Sequence, residues 1–277
     1  MPEYLVVRMK LISGSTLDAL SDDAVNSAFV LFACARFGLR LGEAVGLHRN
    51  DWIDAVGTVV VLVRTNRTRG LKTLSSKRQV PLVETLSEPE QQLVEGVLTR
   101  WVHREGEDRN TPLLAHVDAE GFRATKAGIS SRLLLLIKEV TRWQGSMVHH
   151  LRHGFVTRLL SLLAGRSQGA GIRVTAEQSR DACQLLLGRP EADRRTLRGI
   201  SRAVGHSAPG ISLSAYTHGL EQWLPRPVAR HALSAMGASA WSSTPSNPAS
   251  TPRCKTAEGP TGCEPLGCTS TCDCRPA

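Results

Sequence analysis

The sequence predicts a mainly α-helical protein with one small antiparallel β-sheet, an α+β fold. Eight segments combine helical length with apolar faces, and most of them end at glycine or at turn residues. One continuous β-branched run, Thr58–Arg64 (TVVVLVR), is typical of a buried strand. The chain has 277 residues, of which 41% are hydrophobic, so it is long enough to bury a substantial core.

The first predicted helix, Asp22–Phe37, stops at Gly38, because glycine readily takes the left-handed conformation that ends helices. The strand Thr58–Arg64, a turn-rich stretch and the short strand Arg78–Leu82 form a hairpin or a three-stranded sheet with a basic loop. The remaining predicted helices are Gly42–His48, Pro89–Arg104, Lys126–Arg142, His149–Ala164, Thr175–Leu187, Arg194–Val204 and Ser212–Trp223.

The tail after residue 236 has a different composition. It holds six of the 14 prolines and five of the seven cysteines, with almost no large apolar side chain, so we expect disorder over 237–277. The tail cysteines lack the CxxC pairs and histidines of structural zinc sites, and the sequence predicts no metal. Cys34 and Cys183, in the body, are expected to be buried thiols.

Charge favours a polyanionic partner. The formal net charge is +9, and residues 141–218 contain 11 arginines against four acidic residues. A solvated basic face is the alternative interpretation of such clusters. No apolar segment approaches the roughly 20 residues of a membrane span, and no signal peptide is recognisable at the N-terminus. We therefore expect a cytoplasmic, nucleoid-associated protein without a membrane partner.

Two reactive constellations lie in the first third of the chain. Arg40 lies between Gly38 and Gly42, where its guanidinium can grip a phosphate while Glu43 orients it. A surface arginine at a helix junction is the alternative. The loop at residues 69–82 offers a mobile ammonium that can act as an acid beside other cations, or is only a solvated turn.

Two further constellations follow. His149 and Arg152 are three residues apart and share one helix face, which places a titratable ring beside a permanent cation. His149 and His153 are spaced for a metal, but no HExxH pattern supports one. Tyr216 lies ten residues after His206, and these residues are either reactive or structural.

Together these stretches resemble the catalytic domain of the tyrosine recombinase (phage integrase) family. The matching segments are GLRLGEAVGL, GLKTLSSKRQVPL, HHLRHGFVTRLL and VGHSAPGISLSAYTH, within about residues 21–224. The resemblance implies the catalytic residues Arg40, Lys72, His149, Arg152, His206 and Tyr216. His149 is preferred to His150 because the pattern is H-x-L-R-H, and it would accept the phenol proton. Lys72 is preferred to Lys77 because K-T-x-x-S precedes R-x-V-P-L, and it would protonate the leaving oxygen.

The resemblance implies metal-independent DNA strand transfer without a cofactor. Tyr216 would attack a phosphodiester and form a 3′-phosphotyrosyl intermediate, which a second 5′-hydroxyl reverses. Arg40 and Arg152 would stabilise the transition-state charge, and His206 would donate a further hydrogen bond. Double-stranded DNA and the other protomers of a synaptic tetramer are the expected partners. The predicted contacts to backbone phosphates are Arg64, Arg67, Arg69, Lys77 and Arg78.

The chain departs from the family pattern in three places, one of which is a slightly long interval between His206 and Tyr216, attributed to Pro209 and Gly210. Arg40 lies 39 residues from the start, so residues 1–20 are interpreted as a lead-in with the usual core-binding domain absent. Arg152 and His206 are 54 residues apart, and an insertion at about 166–195 is expected to loop outward from the catalytic domain at 21–236. Two alternatives to a recombinase stay open: an inactive DNA-binding integrase remnant, and a type IB topoisomerase-like nicking and resealing enzyme.

Overall fold

A computed structural model of the chain describes residues 20–55, 58–71, 73–116, 121–165, 174–193 and 195–207. All of them belong to the first of two units into which the chain divides, residues 1–236. The predicted coarse class is confirmed, because the described residues are mainly helical with one three-stranded antiparallel sheet. The predicted helix Ser212–Trp223 and the tail at 237–277 lie outside the described residues.

The central element is helix α1 (Asp22–Arg36), in which every residue from Val25 to Arg36 is buried. A helix that is buried on all sides lies inside the core, with other elements packed around it. Three of these are α3 (Glu88–Glu105), α4 (Phe122–Thr141) and α5 (His149–Leu163). They match the helices predicted at Pro89–Arg104, Lys126–Arg142 and His149–Ala164, although α4 begins four residues earlier than expected.

An aromatic cluster joins α1 to the sheet. The rings of Phe29, Phe32, Phe37 and Trp52 lie 5.6 to 6.5 Å apart, centroid to centroid, in tilted and edge-on pairs. Pairs of this geometry stabilise a core beyond the area they bury.

The sheet has the order β1–β2–β3, formed by β1 (Trp52–Ala55), β2 (Thr58–Val63) and β3 (Arg78–Pro81). Val61 pairs with Trp52 on one side and with Val80 on the other. The last pair of the β2–β3 register is Val63 with Arg78, so Arg78 shares the buried face of β3 with Val80. The sheet therefore turns a charged side chain toward the core.

Three short helices complete the region around the site. Helix α2 (Leu41–Val45) follows the end of α1 directly, and α7 (Thr196–Val204) packs on β3 and α5. Helix α6 (Ala176–Leu187) lies within the expected insertion, but Ala182 and Cys183 pack it into the core between α5 and α7. The described part of that segment therefore contains a helix that contacts the core through Ala182 and Cys183, while most of its other residues are exposed or partly exposed. None of the helices described is both long and apolar enough to cross a membrane.

Candidate functional site

The site is organised around the carboxylate of Glu43, which is only 7% exposed. Glu43 is the third residue of α2 and Arg40 is its N-cap, so the carboxylate folds back to accept a hydrogen bond from the Arg40 backbone N–H at 2.8 Å. The same carboxylate accepts a second bond from Arg40 Nη1, also at 2.8 Å. The predicted role of Glu43 in orienting Arg40 is confirmed, and the Arg40 side chain stays 35% exposed.

Arg78 reaches the same carboxylate from β3. Its Nη2 donates to Oε2 of Glu43 at 2.8 Å and its Nη1 donates to Oε1 at 3.1 Å, which is a two-pronged contact. Its Nε donates to the carbonyl of Ala203 at 2.9 Å and so ties the sheet to α7. Burial raises the pKa of Glu43, but the bonds and charges of Arg78 and Arg40 outweigh burial and hold it at about 2. Glu43 is therefore a permanent anion.

Arg152 comes from α5 and is the largest fully buried side chain among the described residues. Its Nη1 donates to the carbonyl of Gly38 at 2.6 Å, and its Nη2 donates to the carbonyl of Val204. Nη1 lies 3.9 Å from Oε2 of Glu43, and Nη2 lies 3.4 Å from Nε2 of His206. One guanidinium thus holds together the start of α2, the end of α7 and the histidine beyond it.

His206 follows α7 directly and is partly buried. Gly205, at φ +68°, ends the helix, and the His206 backbone N–H then donates to the carbonyl of Ser201 at 2.8 Å. Burial lowers the pKa of His206 to about 4, assisted by the positive charges of Arg152 and Arg40. His206 is therefore neutral at pH 7, with one N–H to donate and one lone pair to accept.

His149 is the first residue of α5 and is exposed. Partial desolvation lowers its pKa, and the cations Arg152 and Arg40 lower it further. A ring that is mostly neutral at pH 7 is able to accept a proton. The structure thus brings four of the six predicted catalytic residues to one place: Arg40, His149, Arg152 and His206. Lys72 and Tyr216 lie outside the described residues.

The predicted phosphate contacts separate into two groups. Arg69 and Arg78 are buried, at 3% and 9% exposure, and this corrects their prediction as direct DNA contacts. Arg69 donates to Oδ2 of Asp51 at 3.1 Å and to the backbone carbonyl of Glu43 at 2.8 Å, so it links α2 to Asp51. Burial of its guanidinium lowers its pKa, although Asp51 opposes the shift.

Arg64, Arg67 and Lys77 remain available at the surface. Arg64 is 39% exposed even though its Nε donates to Oδ1 of Asp51 at 2.7 Å. Arg64 and Arg67 line a cavity of about 520 Å³ together with His48. These side chains are still able to meet an anion.

The sequence missed the structural role of Arg78. Its position two residues before the buried Val80, on the same face of a short strand, was the available signal. A basic residue in a basic loop is expected to be exposed unless its ion-pair partner is known. For Arg78 that partner is Glu43, which lies 35 residues earlier in the sequence.

The cluster carries an excess of positive charge. Three guanidiniums, from Arg40, Arg78 and Arg152, lie within 4 Å of a single carboxylate, which leaves a local charge of +2. Burial and, after it, the charges of Arg152 and Arg40 lower the pKa of both His149 and His206, so neither ring adds a full positive charge at pH 7. Such an arrangement favours an anion at the exposed side of the cluster. Among the described residues, no group of three or more His, Cys, Asp or Glu is placed to hold a metal ion.

No protein-family model matches the chain, and neither does any curated protein or solved structure. The function has to be argued from the geometry and chemistry of the cluster.

Proposed function

We propose that this chain is a DNA strand transferase of the tyrosine recombinase type. It cuts and rejoins DNA through a 3′-phosphotyrosyl intermediate, and double-stranded DNA and other protomers are its partners. The observation that carries the proposal is the cluster in which Arg40 and Arg152 lie within 4 Å of Glu43 and His206 lies 3.4 Å from Arg152, with a local charge of +2. His149 is close enough to Arg152 and Arg40 to feel their charges. These four residues come from three separate parts of the chain, since His149 and Arg152 share α5, and the resemblance had named all of them.

A phosphodiester is a poor electrophile, and its transition state spreads negative charge over the non-bridging oxygens. Fixed cations and hydrogen-bond donors aimed at those oxygens lower the barrier. In the proposed reaction the phenol oxygen of Tyr216 bonds to phosphorus while the bond from phosphorus to the 5′-oxygen breaks. His149 takes the phenol proton, and Lys72 gives a proton to the leaving 5′-oxygen. A second 5′-hydroxyl reverses these steps, so no energy source is needed.

Arg40 and Arg152 have different parts in this scheme. Arg40 is 35% exposed and is the accessible cation for a phosphate oxygen. Arg152 is 1% exposed and lies behind His206, with its amino groups bonded to two carbonyls. We infer that Arg152 acts mainly by holding His206 in place and by adding positive charge, while Arg40 and His206 meet the phosphate.

The test is covalent trapping on a nicked suicide substrate that carries the DNA flanking the coding sequence. The expected result is an adduct that survives denaturing gels and forms in the presence of EDTA. Tyr216→Phe should abolish the adduct. Tyr4→Phe is the matched control, since Tyr4 and Tyr216 are the two tyrosines of the chain, and it should leave the adduct intact.

Arg40→Ala should slow adduct formation by about 10²–10³-fold, the usual effect of losing one transition-state donor. Its fold should persist because the side chain is partly exposed and solvent screens its ion pair. DNA binding without any adduct from the wild-type protein would overturn the proposal in favour of a binding protein. Relaxation of supercoiled plasmid without site preference would instead identify a topoisomerase-like enzyme.

A further inference from the structure

A second basic feature adjoins the cluster. A groove of about 1000 Å³ runs between β3 and the helices α6 and α7, and it reaches His206. We call it the α6–α7 groove, and its basic wall is formed by Lys77, Arg78, Arg189, Arg195, Arg198 and Arg202, with His206 at one end. Most of this wall comes from the interval between Arg152 and His206 that the sequence marks as longer than usual.

Most of the positive charges in the α6–α7 groove are uncompensated. No described lining residue is acidic. Arg78 pairs with Glu43 and Arg189 pairs with Asp193, whereas Arg195, Arg198 and Arg202 have no carboxylate partner among the residues described. Arg195, Arg198 and Arg202 are exposed and follow one another at spacings of three and four, so they project from one face of α7. Like charges at these spacings destabilise a helix, and packing within the fold does not explain why they are gathered there.

We propose that the α6–α7 groove binds the sugar-phosphate backbone of duplex DNA next to the phosphate held at His206. This inference rests on the proposed function for the identity of the polyanion. The groove is continuous with the site through His206, so a strand that enters the site can extend into it. Arginine is well suited to phosphate oxygens because its planar fork presents two parallel donors.

The lining favours a duplex over a single strand. Proteins that hold single-stranded DNA stack its bases on aromatic side chains. Among the described residues that line the α6–α7 groove there is no Phe, Tyr or Trp, and the apolar part consists of aliphatic side chains such as Leu185, Leu187 and Val60. The groove thus offers phosphate contacts without a base-stacking platform, which suits sequence-independent contact with a backbone.

The test compares two triple variants of the full chain for binding to a short duplex of arbitrary sequence. Arg195→Gln/Arg198→Gln/Arg202→Gln removes three charges from the groove. The control, Arg109→Gln/Arg123→Gln/Arg180→Gln, removes three exposed charges that do not line it. Binding is measured by fluorescence anisotropy between about 50 and 200 mM salt, and the thermal midpoint of each variant verifies folding.

Each lost phosphate contact should reduce the slope of log K against log salt by about 0.9, so the groove variant should lose about 2.7 of slope. Over that fourfold salt range the wild-type affinity should therefore fall about 40-fold more than the affinity of the groove variant. The control should keep nearly the wild-type slope. An equal change in both variants, or none in the groove variant, overturns the inference.

Two further arms separate this inference from others. If the groove variant loses binding to polyglutamate but not to duplex DNA, the groove binds an acidic polypeptide and the proposal is wrong. At saturating protein, the groove variant should still form the covalent adduct on the suicide substrate, because its catalytic residues are intact. If the groove variant changes the salt slope but even the wild-type protein forms no adduct, the groove proposal is supported and the strand-transferase proposal is refuted. If the wild-type protein forms the adduct but the groove variant leaves the slope unchanged, the strand transferase is supported and the groove proposal is refuted.

Discussion

Replacing Glu43 with glutamine keeps the shape of the side chain but removes the single negative charge that three guanidiniums share. The pair with Arg78 dominates the effect, since its two side chains are 4% and 7% exposed and meet at 2.8 and 3.1 Å. Removal of one partner leaves the other charge buried and unpaired, which destabilises a protein by about 3–5 kcal/mol. Arg40 adds little, because solvent screens its charge. We expect Glu43→Gln to lower the free energy of unfolding by about 3–5 kcal/mol.

Urea unfolding measures this loss. With a denaturant slope of about 2 kcal/mol per molar, the midpoint should fall by about 2 M. Asp54→Asn is the control, because Asp54 is 58% exposed and lies 3.7 Å from Arg49, and its loss should cost less than about 1 kcal/mol. In a double-mutant cycle, the protein with both Glu43→Gln and Arg78→Met should lose less free energy of unfolding than the sum of the losses in the two single variants. A Glu43→Gln protein within about 1 kcal/mol of wild type, or a strictly additive cycle, refutes the idea that this carboxylate balances a buried charge.

Three further predictions follow from the same contacts. Gly38→Ala should cost at least about 2 kcal/mol in urea unfolding, because φ is +59° there and a Cβ would stand 2.3 Å from the Phe155 ring; an unchanged midpoint contradicts this. The pKa of His206 falls from 6.5 to about 4 on folding, so between these pH values the unfolded chain takes up a proton that the folded chain does not. The free energy of unfolding therefore decreases as pH falls through that window. The decrease is at most about 2 kcal/mol between pH 7 and 5, and it is smaller because the ring is only partly buried. The His206→Asn variant should lose less free energy of unfolding between pH 7 and 5 than the wild-type protein. An equal loss in both proteins would refute the assignment of this pH dependence to His206. Burial raises the pKa of Cys34 to about 12, so a thiol reagent should modify it only as fast as the protein unfolds.

The fold class follows from the sequence because the core is built from local patterns. The apolar run of α1 and the glycine after it locate a buried helix, and TVVVLVR locates the central strand. Strand β1 is different, since Trp52–Ala55 is only four residues long and becomes a strand through pairing with β2. Short segments carry too little periodicity to be identified without their partners.

The site likewise combines residues that could be predicted from the sequence with residues whose role depends on distant partners. Arg40, Arg152 and His206 could be named in advance because their order along the chain resembles the pattern described in the sequence analysis, and the structure places these three side chains close together. The burial of Arg69 and Arg78 was not predicted, because it depends on carboxylates 18 and 35 residues away. A charged side chain looks exposed in a sequence until the fold supplies the opposite charge that makes burial tolerable.

The charge arrangement also links anion binding to folding. Glu43 is ionised at pH 7 and is shared among three cations. Burial, assisted by the charges of Arg152 and Arg40, lowers the pKa of His206 to about 4, so its ring is neutral at pH 7. A phosphate at the exposed side of Arg40 would supply the missing negative charge, and it would favour the protonated form of the same histidine. A polyanion that binds only the folded chain stabilises it by mass action. The residues that contact Glu43 come from the start of α2, β3 and α5, and Arg152 extends these contacts to His206 after α7, so this stabilisation acts on several elements of the fold and not on one loop.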